Sequence, residues 1–295
     1  MQCPGPPNIL TDIGSDPDVI EQSASLAPAA VDDAPALAFV QVSKRFPQGD
    51  GSLEDGFLEV LHDITFDVPA GEIVAIVGPS GSGKSTLLNL AAGLIAPDEG
   101  RVLVMGQSTD GPLDWSRVGY MFQDDRLLPW RAAVNNVALA LEAGSMPVRE
   151  RQARARDGLA LVGLADFAKA YPHQLSGGMR SRIALARSLV TEPKILLMDE
   201  PFSRLDAQTR ASMHSELLRI HASRPMSILF VTHDVEEAVV LASRIVVFSS
   251  RPGRVHRILD VPLEHPRLDT PPTRALVSVL RAAIADMHSP EDVPS

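Results

Sequence analysis

The 295-residue chain has one cysteine, Cys3, so an intrachain disulfide framework is excluded and with it the small stapled secreted folds. Aromatic side chains make up only 4% of the sequence, against 45% hydrophobic residues in all, so the core has to be built from Ala, Val, Leu and Ile. No apolar run approaches the roughly 20 residues that a membrane-crossing helix needs. The N-terminus shows no basic segment followed by an apolar stretch, so no secretory leader is expected. Positive charge is scarce as well: 27 Lys and Arg face 37 Asp and Glu, a formal net charge of −10, which argues against nucleic acid as a partner.

That charge is unevenly placed. Lys44 is the first basic residue, whereas Asp12, Asp16, Asp18, Glu21, Asp32 and Asp33 all precede it. Prolines at positions 4, 6, 7, 17, 28 and 35 interrupt any regular element there. Residues 1–35 therefore read as a disordered acidic leader, and the chain beyond it is only mildly acidic. The case against nucleic acid then rests on the absence of a basic stripe.

Order is expected from about Leu37, where alternating residues suggest a strand to Val42, followed by a second strand from Val60 to Val68. The intervening stretch from Gln48 to Gly56 is rich in Gly and acids and reads as a surface loop. Four short apolar runs, ending at Val77, Met198, Val231 and Phe248, have the continuous hydrophobicity of buried central strands. Helical periodicity follows Lys84, runs from Val148 to Val162 and from Gly177 to Thr191, and returns near Arg274 to Met287. Strands alternating with helices imply a mainly parallel sheet covered on both faces.

The sharpest local signal is Gly78-Pro79-Ser80-Gly81-Ser82-Gly83-Lys84-Ser85-Thr86. It matches the phosphate-loop pattern G-x-x-x-x-G-K-[ST] and lies between an expected strand and an expected helix, the context the pattern requires. A chance match in a chain of this length has a probability of order 1%. Glycines let the backbone curl so that N–H groups face phosphate oxygens, and the helix start adds its partial positive charge. Lys84 is expected to bridge the β- and γ-phosphates, with the Ser85 hydroxyl on Mg²⁺. The run Ile195 to Met198 delivers Asp199 and Glu200 to the carboxyl end of a strand, where open α/β sheets place their ligands. Asp199 is the expected second metal-side group and Glu200 the expected general base for the attacking water.

A phosphate loop alone leaves kinases, GTPases and many ATPases open. Leu175-Ser176-Gly177-Gly178-Met179, opening a helix some twenty residues before Asp199, narrows the choice. With this stretch the sequence resembles the ATP-binding subunits of ABC transporters, whose signature is usually Leu-Ser-Gly-Gly-Gln; Met179 stands where Gln is usual. The resemblance extends over roughly residues 37–260. It implies that Gln123 is the Q-loop glutamine, near Mg²⁺ and the membrane partner, and that His233 is the switch histidine facing the γ-phosphate. Ser203 to Asp206 resembles the D-loop, with Arg204 where Ala is common, and Phe46 falls where the family places an adenine-stacking aromatic.

The resemblance further implies an ABC ATPase fold: a phosphate-loop core with a mainly parallel sheet, an N-terminal antiparallel β subdomain, and a helical subdomain inserted at about 123–190. The cassette would span 36–262, with a C-terminal extension over 263–295. Two copies would sandwich ATP, the phosphate loop of one facing Ser176, Gly177, Gly178 and Asp206 of the other. The implied partners are integral membrane permease subunits and, indirectly, an external substrate-binding protein, with the chain held peripherally at the cytoplasmic face of the membrane. Arg126 to Trp130 forms an apolar patch suited to the permease contact, although Trp130 could equally fill the subdomain core. Phe122 to Trp130, Ser249 to Val255 and Val261 to Arg267 are similar to the nitrate, sulfonate and taurine importer branch. A non-transport ABC ATPase of repair or translation, or an importer of another small solute, is the alternative.

Overall fold

A computed structural model describes residues 34–47, 56–265, 267 and 270–286. The chain divides into Met1–Asp33 and Ala34–Ser295. The expected acidic leader lies outside the described residues but for its last two positions, as does nearly all of the expected loop from Gln48 to Gly56.

The elements are β1 (Leu37–Pro47), β2 (Phe57–Val68), β3 (Ile73–Val77), α1 (Lys84–Ala91), β4 (Glu99–Val104), β5 (Gln107–Ser108), β6 (Val118–Met121), α2 (Ala133–Ala138), α3 (Val148–Leu161), α4 (Gly177–Leu189), β7 (Ile195–Asp199), α5 (Ala207–Ser223), β8 (Ser227–Thr232), α6 (Val235–Leu241), β9 (Arg244–Phe248), β10 (Val255–Asp260) and α7 (Pro271–Asp286). They form two sheets: a four-stranded one of order β2-β1-β4-β5, antiparallel throughout, and a six-stranded one of order β10-β9-β3-β8-β7-β6. In the larger sheet every pairing is parallel except β10 with β9. The antiparallel β subdomain and parallel core thus appear as expected. β4, β5, β6, β10, α2, α5 and α6 escape a pattern reading: the strands, α2 and α6 are too short to show a period, and α5 buries only Met213, His214, Leu217 and Ile220 of its seventeen residues.

The parallel strands are buried on both faces, which is why Ile73 to Val77 shows an unbroken apolar run. Alternate side chains enter two cores. Ile73, Ala75 and Val77 pack with residues of α2 to α6, while Val74 and Ile76 pack with α1 and the antiparallel sheet.

Between β6 and β7 the chain leaves the sheet to form α2, α3 and α4. Asn136 is fully buried here and each of its polar atoms is bonded. Its Oδ1 accepts from Leu128 N at 2.7 Å, and its Nδ2 donates to Arg131 O at 2.8 Å and Leu128 O at 3.2 Å. A satisfied buried amide fixes the backbone around it. The loop so fixed holds Trp130 out into solvent, 72% exposed, so this ring does not fill the subdomain core.

At the other end of the chain, α7 packs on α6. Arg267 is buried beside them: Nε donates to Leu263 O at 2.8 Å, and one terminal nitrogen donates to Val239 O at 2.8 Å and to Ala242 O, at the carboxyl end of α6. Arg281 pairs with Glu236 across the two helices. Among the described residues no helix is long and apolar enough to cross a membrane.

Candidate nucleotide site

β3 ends in the loop from Gly78 to Gly83, which turns into α1. Gly81 and Gly83 have φ of +79° and +86°, the left-handed region where side chains are strained. At Gly83 there is also no room: a Cβ would lie 2.6 Å from Leu61 Cδ2. The loop curls around Lys84, which is buried and donates to Gly78 O at 2.9 Å and Pro79 O at 2.7 Å, with Ser82 Oγ at 3.4 Å. Burial pulls the Lys84 ammonium below its ordinary pKa, and the Glu200 and Asp199 carboxylates hold it up against that pull.

Those carboxylates arrive together at the end of β7, across β8 from β3. β7 carries Asp199 at its carboxyl end, where Oδ1 accepts from Ser85 Oγ at 2.8 Å. Burial pushes the Asp199 carboxyl up, the bond from Ser85 opposes it, and the Glu200 charge adds to the rise. Glu200 is itself held in the left-handed region, at φ +42°. Its N–H donates to Val231 O at 3.0 Å and its carbonyl accepts from Ser203 Oγ at 3.0 Å, so backbone bonds fix the strained residue on both sides. The conformation turns its carboxylate toward Gln123, beyond β6, and His233, beyond β8. Gln123 Nε2 donates to Glu200 Oε2 at 3.2 Å, and His233 Nδ1 lies 3.2 Å from the same oxygen.

A cavity of about 440 Å³ opens beside Glu200 and the phosphate loop, without Asp199, Gln123 or His233 in its lining. Ser80, Gly81, Gly83, Lys84, Ser85, Thr86 and Glu200 line one part, and Phe46, Leu58 and Val60 line an apolar part. Phe46 is thus brought to the phosphate loop by β1, with the Lys44 ammonium 5.5 Å from its ring centroid. Arg251 completes the lining, its Nε donating to Gly81 O at 3.3 Å. Sequence reading used the stretch around Arg251 only as a family mark. The signal it missed is tertiary: Gly253 N–H donates to Val60 O at 2.9 Å and its carbonyl accepts from His62 N at 3.0 Å, which lays this turn against the phosphate loop.

The remaining expected residues lie elsewhere in the chain. Ser176 caps α4, its Oγ accepting from Met179 N at 3.3 Å. Gly178 faces Thr209, whose Cγ2 would be 2.5 Å from a Cβ there. Asp206 caps α5, accepting from Thr209 N at 3.0 Å and Thr209 Oγ1 at 2.6 Å, and these bonds hold its carboxyl below the usual range. Neither these residues nor Gly78, Pro79 and Ser82 line the 440 Å³ cavity. Gly177 instead borders a separate cleft of about 410 Å³ with Gln123, Asp124, Asp125, Arg180 and Arg204. Arg204 pairs there with Asp124, and Arg180 with Asp125 at 2.9 Å.

For a divalent ion the chain offers oxygen from Ser85 and Asp199, with the Gln123 amide against the adjacent Glu200. Among the described residues no group of three or more His, Cys, Asp or Glu could hold a metal alone. So sparse a hard-oxygen set suits Mg²⁺, which keeps most of its water and shares phosphate ligands.

A phosphate loop around a lysine, a serine–aspartate pair, and a carboxylate held by an amide and an imidazole at the carboxyl ends of parallel strands define a phosphate-loop nucleoside triphosphatase. The particular family follows from comparison: residues 61–203 match the model of the ABC transporter family. The chain is 46% identical over 210 residues to an uncharacterized ABC transporter ATP-binding protein of Methanocaldococcus jannaschii, covering 71% of this chain and 78% of that one. It is 42% identical over 244 residues to the taurine import ATP-binding protein TauB of Rhizobium johnstonii, 81% of this chain and 92% of the relative. With the aliphatic sulfonates import ATP-binding protein SsuB of Bacillus cereus it shares 39% identity over 227 residues, 77% and 86% of the two chains. Among solved structures, a dimeric ATP-binding cassette in a post-hydrolysis state bound to ADP and Pi superposes with a TM-score of 0.67. It is 32% identical, over 77% of this chain and all of that one. The chain belongs to the ABC transporter family. It is an ATP-binding and ATP-hydrolysing cassette, with ATP and Mg²⁺ as its cofactors.

Proposed function

We propose that this cassette drives an importer of small anions such as taurine, an alkanesulfonate or nitrate. The similarity to taurine and aliphatic sulfonate import ATP-binding proteins supports that reading. The observation that carries the hydrolytic assignment is the convergence of Gln123 and His233 on one oxygen of Glu200. Glu200 is the general base for the attacking water, and His233 and Gln123 orient it and sense the γ-phosphate. Lys84, Ser85 and Thr86 hold the β- and γ-phosphates with the loop from Gly78 to Gly83, while Phe46 stacks on adenine. Ser85, Asp199 and Gln123 would hold Mg²⁺, which would supply charge neutralisation at the phosphates.

Ser176, Gly177, Gly178 and Asp206 act across a dimer, closing on the nucleotide of a second copy. Their place away from the 440 Å³ cavity of their own chain supports this reading. The membrane partner is an integral permease. It docks at the cleft of about 1080 Å³ between the parallel sheet and the helical subdomain, lined among others by Tyr120, Phe122, Arg126, Leu141 and Met146. Arg126 stacks on Phe122 there, 3.8 Å from the ring centroid. The chain then works as a peripheral protein on the cytoplasmic face of the membrane, and an external substrate-binding protein delivers the anion. Residues 36–262 form the working cassette and 263–295 its extension.

Glu200→Gln preserves side-chain shape and both neighbours but cannot take a proton from water. ATP affinity should stay near wild type while turnover falls by about 10²- to 10⁴-fold, and an ATP-bound dimer should accumulate on a sizing column. A near wild-type ATPase rate in this variant removes Glu200 from the base role. Recovery of a permease with the chain from solubilised membranes tests the transport assignment.

A further inference from the structure

His233 is poorly held by its own side chain, which is 58% exposed and touches Glu200 at 3.2 Å. What keeps the ring over Glu200 therefore has to act through its chain neighbours, Thr232 and Asp234. Both are tied to the segment between Glu200 and α5, by two separate routes.

The first route starts at Leu205. Its carbonyl accepts from an Arg210 terminal nitrogen at 3.1 Å, and the other terminal nitrogen of Arg210 donates to Asp234 Oδ2 at 2.9 Å. Asp234 Oδ1 in turn caps α6, accepting from Glu236 N at 2.9 Å and Glu237 N at 3.3 Å. The second route starts at Phe202, whose ring meets His214 edge-on with centroids 5.0 Å apart. His214 Nε2 lies 3.7 Å from Glu237 Oε1, and Glu237 Oε2 accepts from Thr232 Oγ1 at 2.6 Å. The same threonine oxygen accepts from Asp234 N at 3.0 Å, joining the two routes beside His233.

The second route is deeply buried: Thr232 is 2% exposed, Glu237 3% and His214 9%. His214 Nε2 and Glu237 Oε1 face each other at a distance too long for a hydrogen bond, and neither has another partner. A buried carboxylate with one oxygen lacking a hydrogen bond is destabilising in an interior. Apolar side chains would fill this space between α5 and α6 at least as well. The group therefore contributes little to stability. It does give a short directional bond from Thr232 Oγ1 to Glu237 Oε2, and the same hydroxyl oxygen holds the Asp234 N–H, so Glu237 is tied to both neighbours of His233 while His214 packs against it.

We propose that Arg210, His214 and Glu237 are positioning residues that set His233 over Glu200, coupling the segment 200–206 to the switch histidine within one chain. This inference rests on the assignment of Glu200 and His233 to hydrolysis. Arg210, His214 and Glu237 do not line the cavity, and on the His233 side they act only through Thr232 and Asp234; Arg210 also holds Leu205 and Asp206, so His214 and Glu237 are the cleaner test.

A double-mutant cycle with Glu237→Gln and His233→Ala tests it, read in single-turnover ATP hydrolysis, nucleotide affinity and thermal midpoint. Glu237→Gln keeps size and the bond from Thr232 but removes the charge facing His214. The expected result is an unchanged ATP affinity, a midpoint at or above wild type, and a hydrolysis rate lowered by about tenfold. In the His233→Ala background the same substitution should have no further effect. Arg210→Lys, at the less buried route, is the second variant and should behave alike. An unchanged rate in both variants with His233 present, or rate effects that multiply with His233→Ala, overturns the proposal. A wild-type rate in His233→Ala alone would instead overturn the assignment of His233.

Discussion

Gly253 lies far along the chain from the phosphate loop, yet replacing it should damage nucleotide binding more than stability. Its φ is not in the left-handed region, so Gly253→Ala introduces no backbone strain and its effect is steric. An added Cβ would sit 2.1 Å from Ser82 O, where 3.4 Å is ordinary contact, a shortfall of about 1.3 Å. Gly253 cannot retreat freely. Its N–H and carbonyl are bonded to Val60 and His62 at 2.9 and 3.0 Å, and each bond contributes about 1 kcal/mol. The overpacking thus costs about 1–3 kcal/mol, relieved mainly by displacing Ser82. Ser82 is buried inside the loop with its hydroxyl facing Lys84, so its displacement opens the ring of carbonyls and N–H groups around the phosphates. If about 1.4 kcal/mol of the cost appears in binding, affinity for ATP and ADP drops about tenfold. Calorimetric titration of both nucleotides measures this. Gly71→Ala is the control: Gly71 has φ +77°, open space around it, and lies at the other end of β3. It should lower the thermal midpoint while leaving affinity unchanged. Wild-type affinity in Gly253→Ala would refute the claim that this turn supports the phosphate loop.

Two other perturbations follow from the same physics. Asp199 has a pKa raised by burial, so the folded protein without nucleotide carries a destabilising charge once pH exceeds the usual aspartate value, fully so above the raised one. Asp199→Asn should therefore be the more stable apoprotein at neutral pH, its advantage shrinking as pH falls through that window, while Mg²⁺-dependent hydrolysis is lost. Thermal melts across pH check the sign, and a variant less stable at pH 7 contradicts it. Arg267→Ala leaves the carbonyls of Val239 and Ala242 unbonded at the end of α6, at a cost of about 2–3 kcal/mol. The expected readouts are a lower midpoint and early proteolysis between α6 and α7; unchanged protection would show that the arginine does not secure α7.

Much of the site is legible in the chain because each half of it is local. A phosphate loop needs nine consecutive residues between a strand and a helix, and Asp199 with Glu200 needs one apolar strand before it. The Ser176-Gly177-Gly178 helix start is equally local, since Ser176 caps the very helix it opens. What pattern could not supply is orientation. Glu200 reads as an ordinary strand-end acid, but it reaches Gln123 and His233 through a left-handed backbone that the bonds to Val231 and Ser203 hold. Trp130 could have been core by composition; a buried asparagine eight residues from Leu128 decides that it faces solvent.

One cysteine and few aromatics already excluded a disulfide framework and left most of the core to aliphatic side chains, with Phe39, Phe202, Phe230 and Phe248 as its largest buried rings. Local spacing then pointed to the nucleotide chemistry, because hydrogen bonds to phosphate are made by consecutive backbone groups, and the family came from the resemblance of Leu175 to Met179 to a known signature. Tertiary structure alone decided the strand order that sets β3 between β9 and β8, and so brings Arg251 and Glu200 beside the phosphate loop and His233 onto Glu200. It also decided that Arg210 and His214 of α5 and Glu237 of α6 lie behind His233. Those contacts join positions distant in the chain, and no periodicity within a segment encodes which distant segment will lie beside it.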